Sequence, residues 1–202
     1  AATPSSHAAA SNYAAFVLDA NSGGALFSRN ADARRYPASL TKMMTLYLLF
    51  EALDQGRVSK TTEIPVSAFA ARQPPSKIGL KPGQALTLDD SLKVLLVKSA
   101  NDVAFSISEN IGGTKENFVA MMNAEARRLG MSSTNYVNPN GLPGAGQYTT
   151  ARDLARLGLL YLDDHPVAHC FAVAHGGELL ALKTSLDQEF ANLSPGLRLM
   201  LF

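Results

Sequence analysis

The sequence predicts a mixed α/β (α+β) domain with a β-hairpin near its start and a lobe of short helices. Two strand-like runs, residues 14–19 and 25–29, flank a polar turn rich in glycine, which is typical of a hairpin. Residues 40–53 are apolar on nearly all sides and predict a helix buried in the centre of the domain. Short helical segments cluster between residues 87 and 162 and predict the helical lobe, so the sheet must come from elsewhere in the chain.

The composition fits a globular protein with a sizeable core. The 202 residues suffice for one domain, or for one domain with a small appendage. Hydrophobic residues make up 47% of the chain and charged residues 17%, which argues against disorder. Lys and Arg number 18 against 17 Asp and Glu, for a net charge of +1, and no basic stripe is present. The sequence therefore predicts no nucleic-acid partner.

Cysteine and histidine are sparse and predict neither a metal site nor a cofactor. Cys170 is the only cysteine, so an internal disulfide is excluded. His165 and His169 are four residues apart, but Pro166 lies between them and no carboxylate accompanies them. This spacing does not match a metal-binding motif, and we interpret both as surface histidines.

The first residues and the lengths of the apolar runs provide evidence on where in the cell the protein is located. No apolar run reaches the ~18 residues of a transmembrane helix, so we expect no membrane span. Residues 1–6 are small or polar and look like the start of a chain whose signal peptide has been removed. A disordered tail has the same composition, so both interpretations stay open.

Helix-breaking residues delimit the central helix and the segment after it. Pro37 disfavours helix at Tyr36, so the helix can begin only beyond them. Gln55 and Gly56 end it. Residues 59–86 are rich in Ser, Thr, Pro and Gly and predict irregular structure with few long elements.

Capping signals predict the helices of the lobe. Helices capped by threonine are expected at residues 87–98, 114–130 and 150–162, with another helix at about 102–110. Thr87 and Thr150 each begin a T-x-x-D capping box. A second hairpin is expected from the runs 170–174 and 178–184, which flank two glycines.

Ser39 and Lys42 form an S-x-x-K pattern at the head of the central helix. Residues three apart lie on the same helix face, so the lysine amine can reach the serine hydroxyl and assist its deprotonation. The positive end of the helix lies where an oxyanion would form. The pattern also fits a capping serine on a core helix with an exposed lysine one turn later.

A second candidate motif, Ser99-Ala100-Asn101, lies in the predicted connection between two helices. Alone it fits a helix end followed by a polar cap. Read together with S-x-x-K, it becomes an S-x-N element. Its hydroxyl can relay a proton to a leaving amine, and its amide can hold a peptide group of a substrate.

Four stretches together resemble the serine-type D-alanyl-D-alanine carboxypeptidases of peptidase family S11, the low-molecular-mass penicillin-binding proteins. They are YPASLTKMMT at residues 36–45, KPGQALTLDDSLKVLLVKSAND at 81–102, NPNGLP at 138–143 and YTTARDLARL at 148–157. The resemblance covers about residues 13–166. It implies a β-lactamase/transpeptidase-like fold, in which an antiparallel sheet packs on helices beside an all-helical lobe. The sequence supplies fewer strands than that sheet needs, so we expect an incomplete sheet.

The resemblance also implies roles for individual residues. Ser39 would be the nucleophile, and Lys42 the general base that activates it. Ser99 would be the proton relay, and Asn101 a ligand for a substrate amide. The backbone N–H of Ser39 would form half of the oxyanion hole.

The last part of the chain departs from the family pattern. The family's K-T-G element has one candidate, Lys183-Thr184-Ser185, which arrives early and has serine in place of glycine. Lys183 is therefore a substrate-binding candidate, while an incidental K-T-S in an unrelated tail is the favoured interpretation. We divide the chain into a transpeptidase-like catalytic domain, residues 1–166, and a divergent C-terminal tail, residues 167–202. A truncated or frame-shifted end would explain the divergence.

These observations predict a carboxypeptidase that trims peptidoglycan stem peptides ending in D-Ala-D-Ala and that β-lactams inhibit. A peptidoglycan substrate implies a periplasmic or other extracytoplasmic location. One alternative is a catalytically incomplete remnant or binding protein that lacks the K-T-G strand. A class A β-lactamase is disfavoured, because S-A-N replaces S-D-N and no convincing deacylating glutamate follows residue 130.

Overall fold

The described part of the chain combines helices with antiparallel strands, and four of the helices follow one another. The computed structural model describes residues 13–19, 22–157, 160–162, 165–175 and 178–186. The elements in chain order are β1 (Ala14–Leu18), β2 (Ala25–Arg29), a 3₁₀ helix (Ala38–Leu40), α1 (Thr41–Asp54), β3 (Glu63–Pro65), α2 (Ala68–Ala71), β4 (Ala85–Thr87), α3 (Leu88–Lys98), α4 (Asn101–Gly112), α5 (Lys115–Arg128), α6 (Ala151–Leu157), β5 (Leu160–Leu162), β6 (His165–His175) and β7 (Glu178–Leu186). This mixture confirms the predicted fold class.

An antiparallel sheet joins the two ends of the described chain. β1 pairs with β2 along one edge and with β6 along the other, and β6 also pairs with β5 and β7. Both predicted hairpins are confirmed, as β1–β2 and β6–β7. Helix α6 packs against β1 and β6, and a separate two-stranded sheet joins β3 and β4. The division of the chain after residue 166 stays a prediction.

Helix α1 lies between two parts of the hydrophobic core, as its apolar surface predicts. Leu48 packs in a cluster with Phe118, from α5. Leu49 packs in another cluster with Ile107, from α4. Because all of these side chains are buried, α1 is held rigidly from both sides.

The capping predictions are confirmed, but one helix is shorter than expected. Thr87, Thr114 and Thr150 each accept a hydrogen bond, 3.1 Å long, from the backbone N–H three residues later. The predicted helix to Leu162 ends instead at Leu157, and residues 160–162 form β5. Pairing with β6 supplies the backbone hydrogen bonds of this short apolar run, whose helical or extended state periodicity cannot decide. Among the described helices, none combines the length and the apolar character that crossing a membrane requires.

Gly112, the last residue of α4, provides a test of the packing between α4 and α5. A methyl group on its Cα would lie 2.7 Å from Phe118 Cβ and 2.8 Å from Phe118 N. We expect Gly112→Ala to lower the free energy of unfolding by about 1–3 kcal/mol, because buried Phe118 has no room to move. In an unconstrained helix the same substitution stabilises by roughly 1 kcal/mol. Urea-induced unfolding distinguishes these signs, and a variant at least as stable as the parent contradicts the packing described.

Candidate active site

Ser39 lies in the middle of the 3₁₀ helix that leads directly into α1. Its side chain is exposed, so a substrate can reach the hydroxyl. Within the described chain, no residue accepts a hydrogen bond from the Ser39 backbone N–H. A serine hydroxyl and a free N–H therefore stand together at the positive end of a buried helix.

Lys42 lies one turn further along, and its side chain is almost fully buried, at 4% exposure. Its Nζ is 3.5 Å from Ser39 Oγ, a long contact, and donates a 2.7 Å hydrogen bond to Asn140 O. None of the ion pairs among the described residues involves Lys42. Burial lowers the pKa of Lys42 from 10.5 to about 8. An amine with this pKa can accept a proton near neutral pH.

Two carbonyls of the loop at residues 138–142 face α1. Asn140 O accepts from Lys42, and Pro139 O accepts a 2.7 Å hydrogen bond from Thr45 Oγ1. Both bonds are buried. The loop thereby covers the Lys42 amine and provides it with an uncharged acceptor.

Gly141 allows this loop to come close to Ala38, the residue before Ser39. It has φ of +86°, and a Cβ on it would lie 1.7 Å from Ala38 O. Asn138 Oδ1 accepts a 2.7 Å hydrogen bond from Gly141 N and fixes the turn. Ala38 itself has φ of +48°, which is unfavourable for alanine. No functional residue was predicted in this loop from the sequence, although an Asn-Gly pair in a turn is a signal for such a conformation.

The turn at Ser99 to Asn101 connects α3 to α4. Ser99 ends α3 in the left-handed conformation, with φ of 53°, and Asn101 begins α4. Asn101 is buried, and it contacts residues 73–80, which we call the strap. Its N–H donates to Ser76 O at 2.7 Å, and its Nδ2 donates to Pro74 O at 3.0 Å.

The strap also reaches the Lys42 side of the site. Asn140 Nδ2 donates to Gln73 Oε1 at 3.4 Å, while the Asn140 carbonyl accepts from Lys42. Hydrogen bonds through the strap and the loop at 138–142 thus connect Asn101 to Lys42. Among the described residues, no direct hydrogen bond joins Ser99 to Ser39 or Lys42.

Lys183 lies in β7, opposite Phe171 of β6. Strand β7 lies against the 3₁₀ helix that contains Ser39. This strand carries Lys183, Thr184 and Ser185, and both interpretations of that triplet stay open. A role for the Lys183 side chain stays a prediction.

Comparison with known proteins agrees with this geometry. The profile of the D-alanyl-D-alanine carboxypeptidase family, peptidase family S11, matches residues 1–175. D-alanyl-D-alanine carboxypeptidase DacF of Bacillus subtilis is 38% identical over 141 residues, which cover 70% of this chain and 36% of the relative. A D-alanyl-D-alanine endopeptidase of Pseudomonas aeruginosa is 37% identical over 149 residues, covering 71% of this chain and 45% of the relative. The chain thus spans less than half the length of these relatives.

A solved structure shows the same fold. The crystal structure of the D-alanyl-D-alanine carboxypeptidase DacD from Francisella tularensis superimposes with a TM-score of 0.70 at 37% identity. The match covers 77% of this chain and 38% of that one. Profile, identity and fold agree, and the chain belongs to the D-alanyl-D-alanine carboxypeptidase family, peptidase family S11.

Proposed function

We propose that the protein is a serine-type D-alanyl-D-alanine carboxypeptidase, which trims peptidoglycan stem peptides through an acyl-enzyme on Ser39. The observation that carries the proposal is the buried Lys42 amine, which has a lowered pKa and lies beside Ser39 Oγ. The substrate class comes from the names of the relatives. Because the chain spans less than half of their length, the activity of the whole protein is part of the proposal.

In the acylation step, Ser39 Oγ attacks the carbonyl carbon of the penultimate D-alanine. Lys42 Nζ accepts the hydroxyl proton as the new C–O bond forms. The carbonyl oxygen of the tetrahedral intermediate carries the negative charge. The free N–H of Ser39 and the positive end of α1 are the groups that stabilise it.

Collapse of the intermediate breaks the C–N bond and releases D-alanine. Ser99 relays a proton from Lys42 to the leaving amine, so that the amine does not leave as an anion. Water then attacks the ester carbonyl with Lys42 as the base. The shortened peptide leaves as a carboxylic acid, and Ser39 regains its proton. These steps require no cofactor.

Asn101 and Lys183 are the proposed substrate ligands. The Asn101 Nδ2 group donates to Pro74 O, so its Oδ1 atom is the one that suits a substrate N–H. The proximity of β7 to the nucleophile supports Lys183 as the cation for the substrate's terminal carboxylate. Ser185, where the family has glycine, favours a second candidate: a penicillin-binding protein that is catalytically incomplete.

The same chemistry makes β-lactams inhibitors. Their ring offers Ser39 an acyl C–N bond, and the resulting acyl-enzyme stays blocked when water cannot hydrolyse it. A peptidoglycan substrate also implies that the protein works outside the cytoplasmic membrane, in the periplasm or an equivalent compartment. S-A-N in place of S-D-N, and the lack of a convincing deacylating glutamate after residue 130, make a class A β-lactamase the less favoured alternative.

The endopeptidase among the relatives suggests a wider substrate range. Cleavage of a cross-link between stem peptides uses the same serine acylation, with a larger leaving amine. Substrate assays therefore need both a linear stem peptide ending in D-Ala-D-Ala and a cross-linked dimer. Release of D-alanine from the linear peptide is the outcome that the main proposal predicts.

We expect the protein to form one covalent adduct with benzylpenicillin, which intact-mass spectrometry detects, and we expect Ser39→Ala to abolish it. The exposed serine variant Ser59→Ala is the control and should keep the adduct. An unmodified parent protein would reject acylation and support the catalytically incomplete candidate. Rapid hydrolysis of the penicillin would instead indicate a β-lactamase. Release of D-alanine from a stem-peptide analogue then tests competence.

We expect the rate of acylation to rise with pH through about 8, because only the neutral Lys42 amine accepts the serine proton. Stopped-flow acylation by a chromogenic cephalosporin between pH 6 and 10 measures this profile. Lys42→Arg, which stays charged, should lower the plateau rate by at least about 100-fold. Lys60→Arg is the control at an exposed lysine. A flat profile across this pH range would exclude Lys42 as the base.

We expect Gly141→Ala to lower the acylation rate by about 100-fold, because its Cβ would push the loop away from Ala38 and move the acceptor of Lys42. Gly146→Ala is a matched control. Gly146 also has positive φ, at 84°, but its nearest contact would be 3.8 Å away. Both variants carry the same backbone strain, so equal acylation rates in the two would show that the close approach of Gly141 is unimportant.

A further inference from the structure

Asp102 is a buried carboxylate that the proposed reaction does not use. It is fully buried, and none of the ion pairs among the described residues involves it. Instead it accepts hydrogen bonds from backbone N–H groups. Oδ2 accepts from Gly79 at 3.0 Å and Leu80 at 3.3 Å, and Oδ1 accepts from Val103 at 3.0 Å and Ile78 at 3.4 Å. Because both oxygens of this buried carboxylate accept hydrogen bonds from backbone N–H groups, the carboxylate fixes the position of that backbone.

Asn101 and Asp102 hold the strap at two adjacent places. Asn101 binds the carbonyls of Pro74 and Ser76, and Asp102 binds the N–H groups that begin two residues later. Both side chains belong to the first turn of α4, which is buried and rigid. The position of the Pro74 carbonyl, and with it the orientation of the Asn101 amide, therefore depends on the Asp102 anchor.

We propose that Asp102 is a positioning residue, which fixes the strap over the Ser99–Asn101 turn and thereby orients the Asn101 amide toward substrate. The effect on catalysis rests on the proposed function, because that function gives Asn101 its substrate. The effect on the orientation of Asn101 does not rest on it. The two effects can be tested separately in the same chain.

Nuclear magnetic resonance tests the orientation. The side-chain amide signals of Asn101 in the ¹⁵N-labelled protein are assigned by their loss in Asn101→Asp. In Asp102→Asn, an amide N–H₂ replaces one acceptor oxygen and opposes the strap N–H groups. We expect the Asn101 signals to shift and their exchange with water to accelerate at least about tenfold. Unchanged signals in a folded Asp102→Asn protein would overturn the proposal.

Asp153→Asn is the matched control for loss of a buried carboxylate. Asp153 is 3% exposed and accepts 2.8 Å hydrogen bonds from Ser133 N and Thr134 Oγ1, away from the strap. Its substitution should destabilise the fold and leave the Asn101 signals unchanged. Equal shifts in both variants would mean that Asn101 reports only general stability, and would overturn the proposal.

A second variant covers the case in which Asp102→Asn does not fold. Gly79 has φ of +81°, and a Cβ there would have no neighbour within 4 Å. Gly79→Ala therefore strains the strap without a clash and leaves the carboxylate in place. We expect it to shift the Asn101 signals, and unchanged signals would contradict the dependence of Asn101 on the strap.

Acylation by benzylpenicillin tests the catalytic consequence. We expect Asp102→Asn to lower the second-order acylation rate by about 10- to 100-fold at a temperature where it is folded. Asp153→Asn should acylate at the parental rate. If shifted Asn101 signals accompany a parental acylation rate in Asp102→Asn, the catalytic part of the proposal is wrong. If the parent itself is not acylated, the proposed function fails, while the Asn101 signals still decide the role of Asp102.

Discussion

The candidate site depends on the burial of the Lys42 amine. This amine is removed from water and donates a hydrogen bond to the backbone carbonyl of Asn140. The lowered pKa of Lys42, about 8 against an ordinary 10.5, corresponds to a cost of roughly 3 kcal/mol in folding free energy. Below pH 8 both the folded and the unfolded chain are protonated there, so the whole cost is present. Between pH 8 and 10.5 only the unfolded chain holds the proton, and stability rises with pH. Under the proposed function this cost has a use, because a charged lysine could not act as a base.

The groups that contact the Lys42 amine are uncharged, which keeps its pKa low. The loop at 138–142 provides carbonyls to α1, and Gly141 lets that loop reach Ala38. An acidic partner would have raised the pKa of Lys42, whereas a carbonyl holds the amine in place with less stabilisation of its charge. The buried carboxylate of Asp102, next to Asn101, accepts hydrogen bonds from backbone N–H groups of the strap. The site therefore holds the Lys42 amine in a fixed position without an ion pair among the described residues.

Local sequence patterns predicted those structural features that depend only on residues close together in the sequence. The capping threonines, both hairpins, and the spacing of Ser39 and Lys42 follow from period and turn chemistry alone. The β5 strand could not be predicted, because its extended state depends on pairing with β6. Likewise, nothing local to Gly141 indicates that Ala38 lies against it, since the contact joins distant parts of the chain. The position of β7 against the 3₁₀ helix that contains Ser39 is another long-range outcome of sheet pairing.

The hydrogen bond between Lys42 and Asn140 joins residues 98 positions apart. During synthesis, the serine and its lysine therefore precede the carbonyl that covers the amine by a long stretch of chain. Until that stretch has folded back, the lysine is hydrated and charged, and the serine is an ordinary alcohol. Under the proposed function, the reactivity of Ser39 thus requires the completed tertiary fold, and an unfolded chain escapes premature acylation.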